Sequence, residues 1–170
     1  IQMLPTQLPY LPVSLLSPTY GEHAPAWERE GFSVKSVTAL EDCAPAGITV
    51  LVNPNNPTGR AFSQAELAAF AEEASEQAGW LIVDEAFGDC LPEASMSGFT
   101  DQQNVIVMKS VGKFFGLAGL RLGFAIAPPF IIEKLSAAFG PWSVSGPALH
   151  VGRTAMLDKK WHRETRTALH

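Results

Sequence analysis

The feature that most constrains the fold is a repeated alternation. Short apolar runs of strand length, each ended by a polar residue, are separated by stretches of helical periodicity. Residues 13–16 stop at Ser17-Pro18, residues 48–52 at Asn53-Pro54, residues 80–83 at Asp84, and residues 105–108 at Lys109-Ser110. Continuous apolar runs fit strands buried on both faces, as in parallel sheets. Between them, residues 20–30 read as a helix closed by Gly31, and residues 32–37 as a strand. Ser63-Gln-Ala-Glu66 is a capping box, followed by Leu67, Phe70, Ala71, Ala74 and Ala78 at helical spacing, with Gly79 as the stop. Residues 121–126 read as a further strand, Pro128-Pro129 opens a helix over 131–139, and 145–169 reads as one long helix. The pattern predicts an α/β fold, with a mainly parallel sheet sandwiched by helices in three layers, α/β/α.

Open parallel sheets bind ligands beyond the carboxyl ends of their strands. That is where this chain places Asn53 and Asn56, Asp84, and Ser110 with Lys113. The densest segment is Ser110-Val-Gly-Lys113-Phe-Phe-Gly-Leu-Ala-Gly-Leu-Arg121-Leu-Gly123. It sets one lysine among Phe114, Phe115, Leu117 and Leu120, with a serine three residues before it and an arginine eight after. Apolar neighbours predict a desolvated amine of lowered pKa, usable as a nucleophile toward a carbonyl. Serine and arginine at the flanks suit an anionic phosphate. A carbonyl and a phosphate on one ligand point to pyridoxal phosphate, held as a Schiff base. Lys109 competes for that role; Lys113 is preferred because Ser110 and Arg121 bracket it. The plainer reading of Arg121 is a structural salt bridge at the start of a strand.

The other parts each have two readings. Asp84, at the mouth of a buried strand, would pair with a protonated pyridine nitrogen and improve an electron sink; it would equally cap the following turn. Asn53-Pro-Asn-Asn56-Pro57-Thr58-Gly59 is a double-proline turn that aims Asn56 in a fixed direction, where an amide can bind a phenolic oxygen. Read alone it is an ordinary Asn/Pro/Gly loop. Tyr20, after the first strand, suits stacking on a planar ring, or membership of the core.

Composition narrows the classes. With 46% apolar and 17% charged residues over 170 positions, the chain is ordinary globular material with enough length for one substantial core. A net charge of −5 and no Lys/Arg-rich run give no basic surface for nucleic acid. No apolar run approaches the length that crosses a bilayer. Cys43 and Cys90 stand in unrelated contexts and point to neither a disulfide framework nor a zinc site, which favours a reducing cytoplasm. His23, His150, His162 and His170 lack ligand spacing, so no metal is expected. Gly116, Gly119 and Gly123 precede a strand rather than a helix, unlike a dinucleotide fingerprint. The start at Ile1-Gln-Met has no charged signal-peptide region, and the chain reads as a piece of a longer protein.

Taken together, Asn56-Pro-Thr-Gly59, Asp84-Glu-Ala-Phe87, Ser110-x-x-Lys113 and the later Gly119-x-Arg121-x-Gly123 resemble the fold-type I pyridoxal-phosphate enzymes of the aspartate aminotransferase superfamily. The resemblance implies that Lys113 bonds the cofactor carbonyl and that Asp84 pairs with the ring nitrogen. It implies that Asn56 binds the phenolic oxygen, Tyr20 stacks on the ring, and Ser110 and Arg121 bind the phosphate. By the same resemblance, residues 1–145 are part of the large cofactor-binding domain of such a transferase, without its upstream phosphate-binding loop. Residues 146–170 would be a helix leading to a C-terminal small domain.

Within the superfamily, Ser17-Pro-Thr-Tyr-Gly-Glu-His23, Gly116-Leu-Ala-Gly-Leu-Arg121 and Gly140-Pro-Trp-Ser-Val-Ser-Gly-Pro147 are similar to the threonine-phosphate decarboxylases of cobalamin biosynthesis. Ala155-Met-Leu-Asp158 and Trp161 extend that similarity. It implies decarboxylation of threonine O-3-phosphate to aminopropanol phosphate by a cytoplasmic homodimer. The alternatives are an aminotransferase, such as one for histidinol phosphate, and an aminotransferase-like sensor domain of a transcriptional regulator. Two positions depart from the family pattern. Phe87 stands where many relatives carry Tyr, and Gly112 where Ser or Thr is common.

Overall fold

A computed structural model describes residues 1–101 and 104–169. The β-branched run Ile48–Val52 and the run Trp80–Asp84 become strands β3 and β4, buried at every position. The remaining strands are β1 (Val13–Leu16), β2 (Val34–Val37), β5 (Val105–Ser110) and β6 (Gly123–Ile126). Together they form a six-stranded sheet ordered β2-β1-β3-β4-β5-β6, with β3 and β4 inside it. Every pair is parallel except β5 with β6, which is antiparallel.

Continuous apolar strands require cover on both faces, and helices supply it. Successive side chains point to opposite faces. Val13, Leu15, Ile48, Val50, Trp80, Ile82 and Ile106 therefore share one core with Trp27 of α1 (His23–Arg29) and with Ile131 and Leu135 of α3 (Pro129–Phe139). Leu16, Leu51, Leu81, Val83, Val105 and Val107 share the other with Leu67, Phe70, Ala71 and Ala74 of α2 (Gln64–Glu76). These are the three layers expected from the alternation.

Local chemistry sets the ends of α2. Ser63 Oγ accepts from the Glu66 backbone N–H, and the Glu66 carboxylate accepts from the Ser63 N–H at 2.8 Å. At the far end the helix stops at Glu76, short of Ala78. Ala78 itself takes the left-handed conformation, with φ of 58°. Gly79 serves close approach: a Cβ there would lie 1.8 Å from the Pro45 carbonyl oxygen and 2.7 Å from that of Gly47.

Several expected boundaries move. The first helix begins at His23 rather than at residue 20, and β2 begins at Val34 rather than at 32. β6 begins at Gly123 because Arg121 adopts a left-handed turn, φ 52°, that no strand accommodates. The helix expected over 145–169 is two: α4 (Gly146–Leu157) and α5 (Lys159–Leu169). Asp158 breaks it with ψ of 76°, and its Oδ1 accepts from the Trp161 N–H at 2.9 Å, so the aspartate caps α5. Among the described residues, no helix is long and apolar enough to cross a membrane.

Candidate active site

The parity of β4 carries Asp84 onto the Trp80/Ile82 face at the carboxyl end of the strand, toward α1. Its Oδ2 lies 3.0 Å from His23 Nε2, and its Oδ1 accepts from the Ala86 N–H at 2.9 Å. Both residues are buried, at 5% and 1% exposure. Tyr20, on the loop after β1, meets the His23 ring edge-on at 6.0 Å. An aromatic, an imidazole and a carboxylate thus run in sequence from the end of β1 to the end of β4. Sequence alone sets His23 in a family-like segment without metal-ligand spacing and does not disclose it as the partner of Asp84. Its place three residues after Tyr20, at the mouth of a helix, was the one available signal. His162 bonds the Ala155 carbonyl through Nε2 at 2.8 Å, and His170 lies outside the described residues.

Strand parity places Lys109, and the end of β5 at Ser110 separates it from Lys113. Lys109 falls on the Val105/Val107 face, where its Nζ lies 2.9 Å from Glu85 Oε2. Glu85 is itself buried and accepts from Ser95 Oγ at 2.7 Å and from the Met96 N–H at 2.6 Å. The Lys109 amine is therefore ion-paired on the face opposite Asp84. Lys113 lies beyond the strand and is exposed, with its Nζ 5.6 Å from the centre of the Phe87 ring. The desolvation expected for its amine is not supplied here. Phe114 and Phe115 turn instead onto Trp161 and His162 of α5.

Ser110 faces Gly123 in the antiparallel β5–β6 pair, and this brings Arg121 to the same edge. Ser110 Oγ accepts from the Gly112 N–H at 3.0 Å. A Cβ at Gly112 would come within 3.2 Å of both Ser110 Oγ and Ala118 Cα, so glycine lets the loop close over the serine. Arg121 is exposed, and its Nη1 donates to the Ala118 carbonyl at 3.4 Å. It has no carboxylate partner among the described residues, so the salt-bridge reading of Arg121 is withdrawn.

The asparagines of the double-proline turn divide their work. Asn53 is buried and bonds the Phe62 backbone through both ends of its amide, at 2.9 and 3.1 Å. Asn55, which the sequence did not single out, accepts from Thr19 Oγ1 at 2.8 Å and donates to the Pro18 carbonyl at 2.9 Å and Thr58 Oγ1 at 2.7 Å. It fastens the loop carrying Tyr20 to the loop carrying Asn56, whose own side chain is exposed. Neither cysteine competes as a nucleophile. Burial raises the Cys43 thiol above its ordinary value, and burial, then the nearby Asp89 carboxylate, raises that of Cys90.

The six predicted positions, Tyr20, Asn56, Asp84, Ser110, Lys113 and Arg121, thus lie at the end of the sheet where the parallel strands finish. Residues 1–170 match the aminotransferase class I and II family. The chain belongs to that family. It is 43% identical over 166 residues to a threonine-phosphate decarboxylase of Pseudomonas aeruginosa, covering 96% of this chain and 50% of that protein. A threonine-phosphate decarboxylase of Sinorhizobium sp is 47% identical over 159 residues, with 92% and 48% covered. This class I/II chain therefore spans about half the length of the curated relatives it matches. Its fold superposes on the histidinol-phosphate aminotransferase of Sinorhizobium meliloti, solved in complex with pyridoxal-5'-phosphate, with a TM-score of 0.76. That match is 22% identical and covers 98% of this chain and 49% of the other.

Proposed function

We propose that the protein containing this chain binds pyridoxal phosphate and decarboxylates threonine O-3-phosphate. The carboxylate leaves as carbon dioxide, a proton replaces it at Cα, and aminopropanol phosphate remains. The observation that carries this reading is the pair of threonine-phosphate decarboxylases similar to nearly the whole chain. The donor set supports the cofactor. A buried carboxylate, held by an imidazole, suits a cationic ring nitrogen. A free amine suits a carbonyl, and a hydroxyl beside a guanidinium suits a phosphate.

When bound, such a cofactor supplies a carbonyl that takes up the substrate amine and a cationic ring that accepts the electron pair left by bond cleavage. In this proposal the protein's residues do the rest. Asp84 holds the ring nitrogen protonated, and His23 fixes the carboxylate for that task. Asn56 donates to the phenolic oxygen with no tyrosine beside it, because residue 87 is Phe. Ser110 and Arg121 hold the phosphate, Tyr20 covers the ring, and Lys113 moves the proton at the substrate Cα.

Residues 1–145 would form part of the cofactor-binding domain, with 146–170 leading toward the rest of the protein. A homodimer in the cytoplasm completes the proposal, the compartment resting on two free cysteines. The second reading, an aminotransferase, is supported by a histidinol-phosphate aminotransferase of Psychrobacter arcticus, 33% identical over 142 residues. The test supplies full-length protein with threonine phosphate, and separately with histidinol phosphate and an oxo acid. Carbon dioxide release from the first supports the decarboxylase. Amino transfer without carbon dioxide release replaces it with the second reading.

A further inference from the structure

Lys113 is exposed, and the nearest aromatic ring to its amine is that of Phe87, 5.6 Å away. The residues that follow it are held tightly, and from far along the chain. Phe114 is buried, its ring 5.3 Å from Trp161 and 5.9 Å from His162. Phe115 lies nearly parallel to Trp161, at 17° and 5.8 Å, and meets His162 at 5.2 Å. His162 cannot swing away, because it is buried and bonded to Ala155 of α4. One turn further along α5, Arg166 lies over Phe114 at 5.3 Å. Its Nε donates to the Asp89 carbonyl at 2.7 Å, on the turn that follows Asp84 and Phe87.

From this geometry we infer that α5 positions the lysine: Trp161, His162 and Arg166 clamp the loops on either side of Lys113 and fix where its amine stands relative to Asp84. The inference rests on the reading of Lys113 as the cofactor lysine. Trp161 and Arg166 touch no reacting atom and are positioning residues. The break at Asp158 belongs to the same device. It ends α4 and starts α5 afresh with its own cap, three residues before Trp161. Aromatic pairs of this geometry hold beyond their area burial, and Trp161 makes two of them. Anything that tilts α5 would therefore move the lysine.

The test uses the full-length protein loaded with pyridoxal phosphate, and reads cofactor dissociation and the visible circular dichroism of the bound cofactor at full occupancy. Trp161→Ala is expected to release cofactor about tenfold more readily, from the loss of two aromatic pairs, and to weaken the dichroic band. Trp161→Phe restores most of both. Arg166→Gln, which leaves the aromatic stack in place, changes both readouts in the same direction but less. Lys160→Ala, on the exposed side of the same helix, matches the parent. Parent-like retention and dichroism in Trp161→Ala and Arg166→Gln, with far-UV spectra unchanged, would overturn the role of α5. A visible band that survives Lys113→Ala would remove the cofactor-lysine reading, and the inference with it.

Discussion

The sorting of the two lysines gives the sharpest prediction, because the same substitution should have opposite consequences four residues apart. Lys109→Met keeps the apolar stem and deletes the charge. It strands the Glu85 carboxylate, whose side chain is 1% exposed, with two hydrogen bonds and no counter-ion. Breaking a buried ion pair from one side costs about 3–5 kcal/mol. The two remaining hydrogen bonds and the 15% exposure of the Lys109 side chain place this case near the bottom of that range, at about 3 kcal/mol. With an m-value of about 2 kcal/mol/M, the urea midpoint should fall by about 1.5 M. Adding Glu85→Gln should recover much of the loss, since removing both charges of a buried pair is close to neutral. Lys113→Met, on an exposed loop position, should change the stability of the cofactor-free protein by no more than about 0.5 kcal/mol, while abolishing covalent attachment in the loaded protein. Urea unfolding of the cofactor-free proteins read by fluorescence, and cofactor absorbance on separately loaded samples, measure all of this. Additive losses in the double variant, or a Lys109→Met variant as stable as the parent, would refute the argument. A Lys109→Met protein that is stable but cofactor-free would refute it as well.

Three further outcomes follow from particular contacts. His23→Leu leaves Asp84 Oδ2 buried without its partner and should cost about 1–3 kcal/mol; thermal unfolding measures the loss, and cofactor retention should fall alongside it. At the end of α2, Ala78→Gly relieves a left-handed residue and should gain about 1 kcal/mol, whereas Gly79→Ala drives a Cβ into two carbonyls and should cost at least about 2 kcal/mol; equal urea midpoints for the pair would contradict this. The Glu66 carboxyl is held below its ordinary 4.5 by hydrogen bonds, first from the Ser63 hydroxyl and then from the Ser63 backbone. Its contribution is present above the unfolded-chain value and is lost as pH falls through the lowered folded value. Ser63→Ala removes the N-cap and should cost about 1 kcal/mol; by freeing Glu66 it should also make stability fall less steeply below pH 4.5, as denaturation at a series of pH values would report.

The parts of this molecule that were legible in its sequence are those fixed by neighbours. The strands from 48 and from 80 announce themselves because two-sided burial leaves the runs nearly all apolar, Thr49 and the terminal Asp84 excepted, and Ser63 with Glu66 names the start of a helix. The parity that divides Lys109 from Ser110 was present too, in the alternation of Val105 and Val107 with Ile106. Bracketing by Ser110 and Arg121 reached the same preference for Lys113 by another route. What stayed hidden depends on distant partners. His23 and Asp84 lie 61 positions apart, and no local pattern joins them. The exposure of Lys113 could not be read from four apolar neighbours, because α5 draws two of those neighbours away. The break at Asp158 was masked by helical periodicity that continues on both sides of it.

The close seating of Gly79 against Pro45 and Gly47 has a metric consequence. The Trp80 N–H donates to the Gly47 carbonyl at 2.9 Å, so β4 sets out level with β3. The five residues of β4, at about 3.3 Å each, then carry the chain to Asp84 at the opposite rim of the sheet. The strand acts as a ruler with its zero at the glycine. Inserting or deleting one residue between 80 and 83 would exchange the directions of Asp84 and Glu85. It would turn the carboxylate meant for His23 toward Lys109, and the one meant for Lys109 toward His23. Length can vary in the loops around the sheet, but along β4 the count of residues is itself part of the site.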